Sequence, residues 1–503
     1  MARPFPPGSY PVVVVGTGPG GLQLSYDLRR HGVEHALLSS DEGPAGMFRH
    51  FPLFQRLNTS SRRYAAAPQG SPAYYRTDWN SLVTDVPEHR ALLAEFMDGA
   101  SYFPLRSEIQ ASYTAFAERG GVEARYDCTW ESTRREDDEF VLETSDGEYR
   151  CRFAVFAIGM AAPWLPDNMP GVELVHHYAD LRGCTPEQFL GKRIFVIGKR
   201  NSAFEIAEAL LPWAAQMICG SPHHVHPSID TAFPTAPRAR YLNALEDSLF
   251  GGGTFAVDCA IAGIERAGEG WRVHAEGTTV PGPITFEVDE VIATTGFTVP
   301  LRDLRDLGVE TFHKDRLPAQ TAFWESATAP GIFFAGAATQ GQVGMRKYGW
   351  PSSSASIGGF RFNAQVQAAE ITRRLGLPVA RPELAADEVV PFLLREATES
   401  AALWRQLSHL ARIVSLDPSE GIRDEGVLPL QPFVDSTGPP AVAIAVELDA
   451  EQHLQPCAYV RGPKGVTEHV LFPGELHDFT TDAHRAALAG VVEPVLPAGV
   501  TVS

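Results

Sequence analysis

The sequence predicts an α/β protein with two Rossmann-like nucleotide-binding domains, the second inserted in the first, and an appended C-terminal α+β domain. Two strand–turn–helix units, at residues 10–31 and 191–210, and a change of composition after Pro378 carry that prediction. At roughly 150 residues per folding unit, 503 residues suffice for about three of them. The expected division is 1–165 with 285–378, then 166–284, then 379–503.

In the first unit the run Val12 to Val15 ends in Gly16, Gly18 and Gly21 and leads into a helix-like stretch, residues 22–31. A chain that cradles a diphosphate needs this order. Gly16 permits the tight turn, Gly18 lets backbone approach the anion, and Gly21 lets helix and strand pack closely. Pro19 and Gly20 complete the turn, and the helix start then offers free N–H groups to the phosphates. A second strand is expected over 35–39. Ser39 stands where an acidic side chain usually holds the adenosine ribose, with Ser40, Asp41 and Glu42 as neighbouring substitutes. Residues 41–44 read equally as a solvated turn.

The second unit repeats the plan with a damaged fingerprint. After an apolar strand come Gly198, then Arg200 in place of the second glycine and Ala203 in place of the third, with Asn201 and Ser202 between them. The Arg200 fork either clamps a phosphate or fills the pyrophosphate space. The next strand, 216–219, is followed by no arginine of the kind that often meets an NADP 2′-phosphate. His223, His224 and His226 lack a carboxylate or cysteine at helical spacing, so they read as a surface loop and no metal site is expected.

Three further apolar runs end in glycine, at Gly159, Gly296 and Gly336. Glycine there suits backbone that passes close to a ligand at a sheet's carboxyl edge, and also suits a plain turn. Beyond Pro378, proline-containing joints divide the chain into short pieces, with a strand expected over 441–448 and no catalytic motif in residues 379–503.

Composition excludes other classes. The 61 acidic against 42 basic residues give a formal charge of −19, which repels a nucleic-acid backbone or an anionic bilayer. Hydrophobic content of 44% with 20% charged residues belongs to a folding chain. Six cysteines without a C-x-x-C suggest neither a disulfide framework nor thiol–disulfide exchange. With no apolar run long enough for a membrane span and no signal-like start in MARPFPPGSYP, the expected location is cytoplasmic.

The order Gly16, Gly18, Gly21, then Gly159, then Gly198 with Asn201-Ser202-Ala203, then Thr295-Gly296-Phe297 resembles the flavin-containing monooxygenase group, over residues 10 to about 375. Gly46-Met47-Phe48 is similar to that group's Gly-Gly-aliphatic-Trp stretch, with Gly and Trp partly lost, and Asn58-Thr59-Ser60-Ser61 to its Asn-Ser-Ser segment. Asp78-Trp79-Asn80-Ser81-Leu82, Arg346-Lys347 and Gly359-Phe360-Arg361-Phe362 resemble more closely the FAD-dependent oxidoreductase domain-containing family. The Baeyer–Villiger histidine after Gly159 is missing, and Pro163 stands near its place.

The resemblance implies bound FAD and, further, NAD(P)H, O2 and a small-molecule substrate, with N-hydroxylation of an amine or amino acid as the favoured chemistry. It implies that the helix over 359–375 closes the first domain and turns its N–H groups to the flavin. It also places Met47, Phe48, Asn58, Thr59, Trp79 and Asn80 near the ring, where packing and turn capping are their alternative roles. Arg346 and Lys347 hold a substrate carboxylate or phosphate, support flavin charge, or are merely solvated. Two alternatives stay open: an FAD-dependent oxidase or dehydrogenase with a degenerate nicotinamide site, and a non-enzymatic flavin-binding partner whose last domain docks another protein. A homo-oligomer is also left open.

Overall fold

The computed structural model describes residues 3–49, 56–181, 183–228, 236–341 and 352–496. Arg346 and Lys347 lie outside the described residues.

The first sheet is built around β1 (Gly8–Val15), whose β-branched run Val12 to Val15 is buried as a continuous apolar stretch, the pattern of a strand covered on both faces. Helix α1 (Pro19–Arg30) follows the glycine turn, and β2 (His35–Leu38) returns parallel to β1. The hairpin β3 (Trp130–Glu136) and β4 (Glu139–Thr144) leads into β5 (Gly147–Phe156), giving the order β2-β1-β5-β4-β3. Strand Ile332–Phe334 joins β5 in parallel, and Val15, Phe156 and Phe334 come into register. The closing helix spans Ile357–Arg374, two residues earlier than expected at its start, and packs against α1.

The second sheet draws all seven strands from residues 176–293, in the order Gly282–Val288, Gly270–Gly277, Thr254–Ala267, Gln216–Ser221, Arg193–Ile197, Glu290–Ala293, His176–His177. Each of its central strands pairs in parallel, and Arg193–Ile197 meets helix Asn201–Leu210 through the Gly198 turn. The α/β class with two Rossmann-like units is therefore what the molecule shows. The expected boundary at 285 is corrected: Gly282–Val288 and Glu290–Ala293 both belong to the second sheet, because Val291 to Ala293 pair with Phe195 to Ile197. Strand Gln216–Ser221 also runs past residue 219, since Gly220 and Ser221 pair with Val257 and Asp258.

The last 118 described positions of residues 379–496 form helices packed on a five-stranded antiparallel sheet centred on Leu410–Asp417 and Ala441–Leu448. Helices Val389–Glu399 and Asp482–Val492 cover one face and Leu430–Asp435 the other. This unit is not separated from the rest by solvent. Ala401, Ala402 and Leu410 share a core with Tyr74, Tyr75, Leu92, Trp324, Phe362 and Val366, so the composition change at Pro378 marks a change of topology within a shared interior.

Candidate functional site

Parallel strands bring their carboxyl ends to one edge, and the first sheet gathers Gly16, Ser39, Gly159 and Gly336 there. Gly16 has φ +108°, and a Cβ on it would lie 2.5 Å from the Ala157 carbonyl oxygen. A Cβ on Gly20 would lie 2.3 Å from the Cα of Gly336, and one on Gly21 would lie 1.9 Å from the Gly16 oxygen. Over Gly18 the situation reverses: a Cβ would meet nothing within 4 Å. The turn is thus closed from below and open above, at the start of a twelve-residue helix with Pro19 in its first turn.

The neighbouring side chains close this cradle. Thr17 donates its hydroxyl to Ser39 Oγ at 2.8 Å, and Ser39 Oγ accepts the Asp41 N–H at 3.2 Å. Ser39 is therefore tied into the turn, while Ser40 is exposed. The Ala45 N–H donates to the Thr17 carbonyl at 2.9 Å, which brings the one-turn segment Gly46–Arg49 beside the glycine turn. Met47 is exposed and Phe48 is buried against the Tyr113 ring.

Tyr113 links that segment to the residues 58–80. Its hydroxyl donates to the Asn80 carbonyl at 2.7 Å, and Thr59 donates to Asn80 Oδ1 at 2.7 Å. Asn80 is held in turn by Asp78, whose Oδ1 accepts the Asn80 and Ser81 N–H groups at 2.9 and 3.1 Å and the Ser61 hydroxyl at 3.1 Å. Arg361, wholly buried in the closing helix, donates to the carbonyls of Tyr75, Asp78 and Ser81. Burial pushes its guanidinium below the usual range while the Asp78 charge opposes that shift. Trp79 lies over the start of the closing helix, where a Cβ on Gly358 would meet its ring at 2.8 Å. The Arg405 guanidinium, from the last unit, stacks on that ring at 3.6 Å; burial, followed by the Arg361 charge, pushes Arg405 down to about 9.

Thr59, Asn80 and Phe48 are thus joined through Tyr113, while Trp79 packs between the closing helix and Arg405; Asn58 sits half-exposed beside them. Sequence reasoning missed Asp78 and Arg361 as the residues that order this wall. An arginine among apolar residues in the closing helix is the signal that marks the second. It also missed Gln406, which donates to Ser354 Oγ at 3.1 Å and to Asn363 Oδ1. Asn363 donates to Thr339 Oγ1 at 3.1 Å, and Thr339 donates to the Gly336 carbonyl at 2.7 Å, so a buried relay runs from the last unit to the glycine turn.

At the second sheet's edge Gly198 has φ +132°. Lys199 is buried in an ion pair with Asp258, which also accepts from Thr279 at 2.7 Å and lies 3.2 Å from His224 Nδ1. These partners hold the Asp258 carboxyl well below its usual range against the opposing effect of burial. Arg200 caps helix Asn201–Leu210 with extended backbone, Ser202 lies in its first turn, and the Asn201 Oδ1 accepts the Arg238 N–H at 3.0 Å. Strand pairing also brings the donor atoms of Cys457, Glu447 and Glu468 within 4.8 Å of one another, a proximity that cysteine spacing does not reveal. Among the described residues no helix is long and apolar enough to cross a membrane.

Two glycine turns at the carboxyl ends of the parallel strands of two mixed sheets define an α/β protein of the two-Rossmann-unit class. Residues 13–336 match the pyridine nucleotide-disulphide oxidoreductase family, and the chain belongs to that family of oxidoreductases. It is 26% identical over 438 residues to mouse (Mus musculus) FAD-dependent oxidoreductase domain-containing protein 2, covering 80% of this chain and 64% of that protein. The chain thus spans a little under two thirds of that relative's length. The structure resembles a flavin-containing monooxygenase from Stenotrophomonas maltophilia, with TM-score 0.54, 18% identity, and 73% and 99% of the two chains covered. It also resembles the bacillithiol disulfide reductase of Bacillus cereus, with TM-score 0.54, 20% identity, and 73% and 100% covered. The fold is common to a monooxygenase and a reductase, so it does not choose between them.

Proposed function

We propose that the chain is an FAD-dependent monooxygenase that uses NAD(P)H and O2 on a small molecule, with N-hydroxylation of an amine or amino acid as its favoured chemistry. The observation that carries this reading is the cradle at the first sheet's edge, closed beneath by the Gly20–Gly336 approach and open over Gly18. Its donor set fits FAD. Gly16, Gly18, Pro19, Gly20 and Gly21 would hold the diphosphate, Ser39 and Ser40 stand on the ribose side, and Gly46, Met47, Phe48, Gly159 and Gly336 border the same edge. When bound, FAD supplies the electron transfer and the reaction with oxygen.

The chain's own residues bind, orient and exclude water. Thr59 and Asn80, fixed by Asp78, present a rigid polar wall, while Phe48, Tyr113 and Trp79 keep its surroundings apolar. Thiol chemistry is disfavoured at the buried Cys128, Cys219 and Cys259, since burial raises Cys128 and Cys259 and pushes Cys219 up to about 12. In labelled O2, substrate-stimulated NAD(P)H oxidation should place the label in the product; label arriving only from water overturns the reading.

The damaged second turn favours a second reading, an FAD-dependent oxidase or dehydrogenase reduced by its substrate or by a separate reductase. Lys199 is neutralised by Asp258 and so is not available as a simple point charge for a phosphate. Rapid flavin bleaching on anaerobic mixing with NADH or NADPH decides against it.

A further inference from the structure

Residues 404–406 of the last unit reach three parts of the wall beside the closing helix. Helix Ala401–Arg405 packs against helix Pro72–Thr77 and brings them there. The Arg76 guanidinium lies over the Trp404 ring at 3.7 Å, the Arg405 guanidinium stacks on the Trp79 ring at 3.6 Å, and Gln406 enters the relay through Ser354 and Asn363. The charge of Arg405 has no part in the foregoing account.

The segment 75–81 holds two guanidiniums and a single carboxylate. Arg361 donates to the carbonyls of Tyr75, Asp78 and Ser81, and Arg405 Nη2 donates to the Arg76 carbonyl. Asp78 is the acid between them, and its oxygens are committed elsewhere. Oδ1 accepts the Asn80 and Ser81 N–H groups and the Ser61 hydroxyl, and Oδ2 accepts the Ser81 hydroxyl. Among the described residues no carboxylate forms an ion pair with Arg405, and its Nε is buried without a hydrogen-bond partner. Residues 342–351, which precede the closing helix in sequence, contain no Asp or Glu. Arg412, another half-buried arginine of the same unit, shows the contrast: two of its nitrogens meet Asp424, and the third lies 3.5 Å from Glu396.

A guanidinium without an anion in a partly dry setting is costly, and a bound anion offsets that cost. Stacking on the indole fixes the plane of the Arg405 fork, so its N–H groups point outward along that plane. A planar carboxylate meets such an edge with two parallel hydrogen bonds. Arg405 and Trp79 are both partly exposed, so a small ligand can reach them. Trp79 in turn touches the start of the closing helix at Gly358 and is followed by Asn80, the partner of Thr59.

We infer that Arg405, stacked on Trp79, receives the carboxylate of the substrate and thereby selects an amino acid over a simple amine. The inference rests on the proposed monooxygenase reading and deepens it by naming the substrate class. The last unit then contributes a specificity-determining residue to a site otherwise built by the first Rossmann-like unit.

The test is calorimetry on the full chain carrying FAD, with acetate and benzoate as carboxylate probes and acetamide and benzamide as their neutral counterparts. Wild type should bind each acid about tenfold or more tightly than its amide. Arg405→Gln should abolish that preference. Arg405→Lys keeps the charge without the planar fork and should retain only part of it. FAD content should be the same in all three proteins. A residue that merely packs on Trp79 would lower the Tm without moving the acid-to-amide ratio. Wild type without the preference, or a folded Arg405→Gln or Arg405→Lys protein that keeps it in full, overturns the inference. Turnover separates this inference from the reading beneath it, using amino acids paired with their decarboxylated counterparts, such as L-lysine and 1,5-diaminopentane. A lower KM for the amino acid, lost in Arg405→Gln with kcat for the diamine kept, is the expected result. If wild type oxygenates the diamine as readily as the amino acid, the inference falls while the monooxygenase reading stands. If nothing is oxygenated but the acid preference is present in wild type and absent in Arg405→Gln, the carboxylate site stands and that reading fails.

Discussion

Gly20 and Gly336 meet backbone to backbone, so closely that a Cβ on Gly20 would stand 2.3 Å from the Gly336 Cα. Gly18, two residues earlier, faces open space. The two glycines should therefore fail differently. Gly20→Ala forces the helix away from the strand edge and costs about 2 kcal/mol of stability, together with FAD binding. Gly18→Ala, at an ordinary φ of −66°, should fold with the same apo Tm and lose FAD alone. Thermal melts with and without added FAD, alongside the flavin content of purified protein, separate the two outcomes.

Arg361 and Asp78 order the wall that contains Thr59 and Asn80. Removing the buried cation in Arg361→Met leaves the Asp78 charge without its compensating field and three backbone carbonyls without their donor. A loss of about 3–5 kcal/mol is expected, read from denaturant unfolding. Arg361→Lys should recover only part of it, because one ammonium cannot span three carbonyls.

Asp27 in α1 gives a pH signature. Burial raises its carboxyl to about 8, against the opposing hydrogen bond from Gln23 at 3.0 Å. Between about pH 4 and 8 the folded state then holds a proton that the unfolded state has released, so this group's contribution to stability is lost as pH rises. Asp27→Asn removes that slope. Its Tm relative to wild type should rise between pH 5 and pH 8, and a difference that stays flat across that range would show that the carboxyl is not protonated.

Gln406 should matter to a site in another part of the chain. Gln406→Ala breaks the buried relay through Asn363 and Thr339 to the Gly336 carbonyl. It should cost about 1–3 kcal/mol and weaken FAD retention, measured by flavin release during dialysis. A variant that melts lower yet keeps FAD as tightly as wild type would confine Gln406 to packing.

What was legible in the sequence is what contiguous residues decide. The run Val12 to Val15 with Gly16, Gly18 and Gly21 specifies strand, turn and helix within one short segment, and the structure forms each of them. Gly296 was legible as special but not for its reason, since Arg316 reaches it from twenty positions further along through a hairpin whose left-handed residues no pattern announces. The 285 boundary failed because strand pairing between Val291 and Phe195 is a long-range choice. The Asp78–Arg361 and Gln406–Asn363 contacts likewise join residues far apart in sequence, where only the buried polar character of Arg361 and Asn363 within an apolar helix gave any sign.

The central claim is that the first glycine turn holds FAD that a nicotinamide can reduce. Full-length protein incubated with FAD, freed of excess and mixed with NADPH or NADH without oxygen tests it directly. Stoichiometric flavin that bleaches with either donor and recolours on admitting air is the predicted result. Folded protein that retains no flavin would contradict the account at its root.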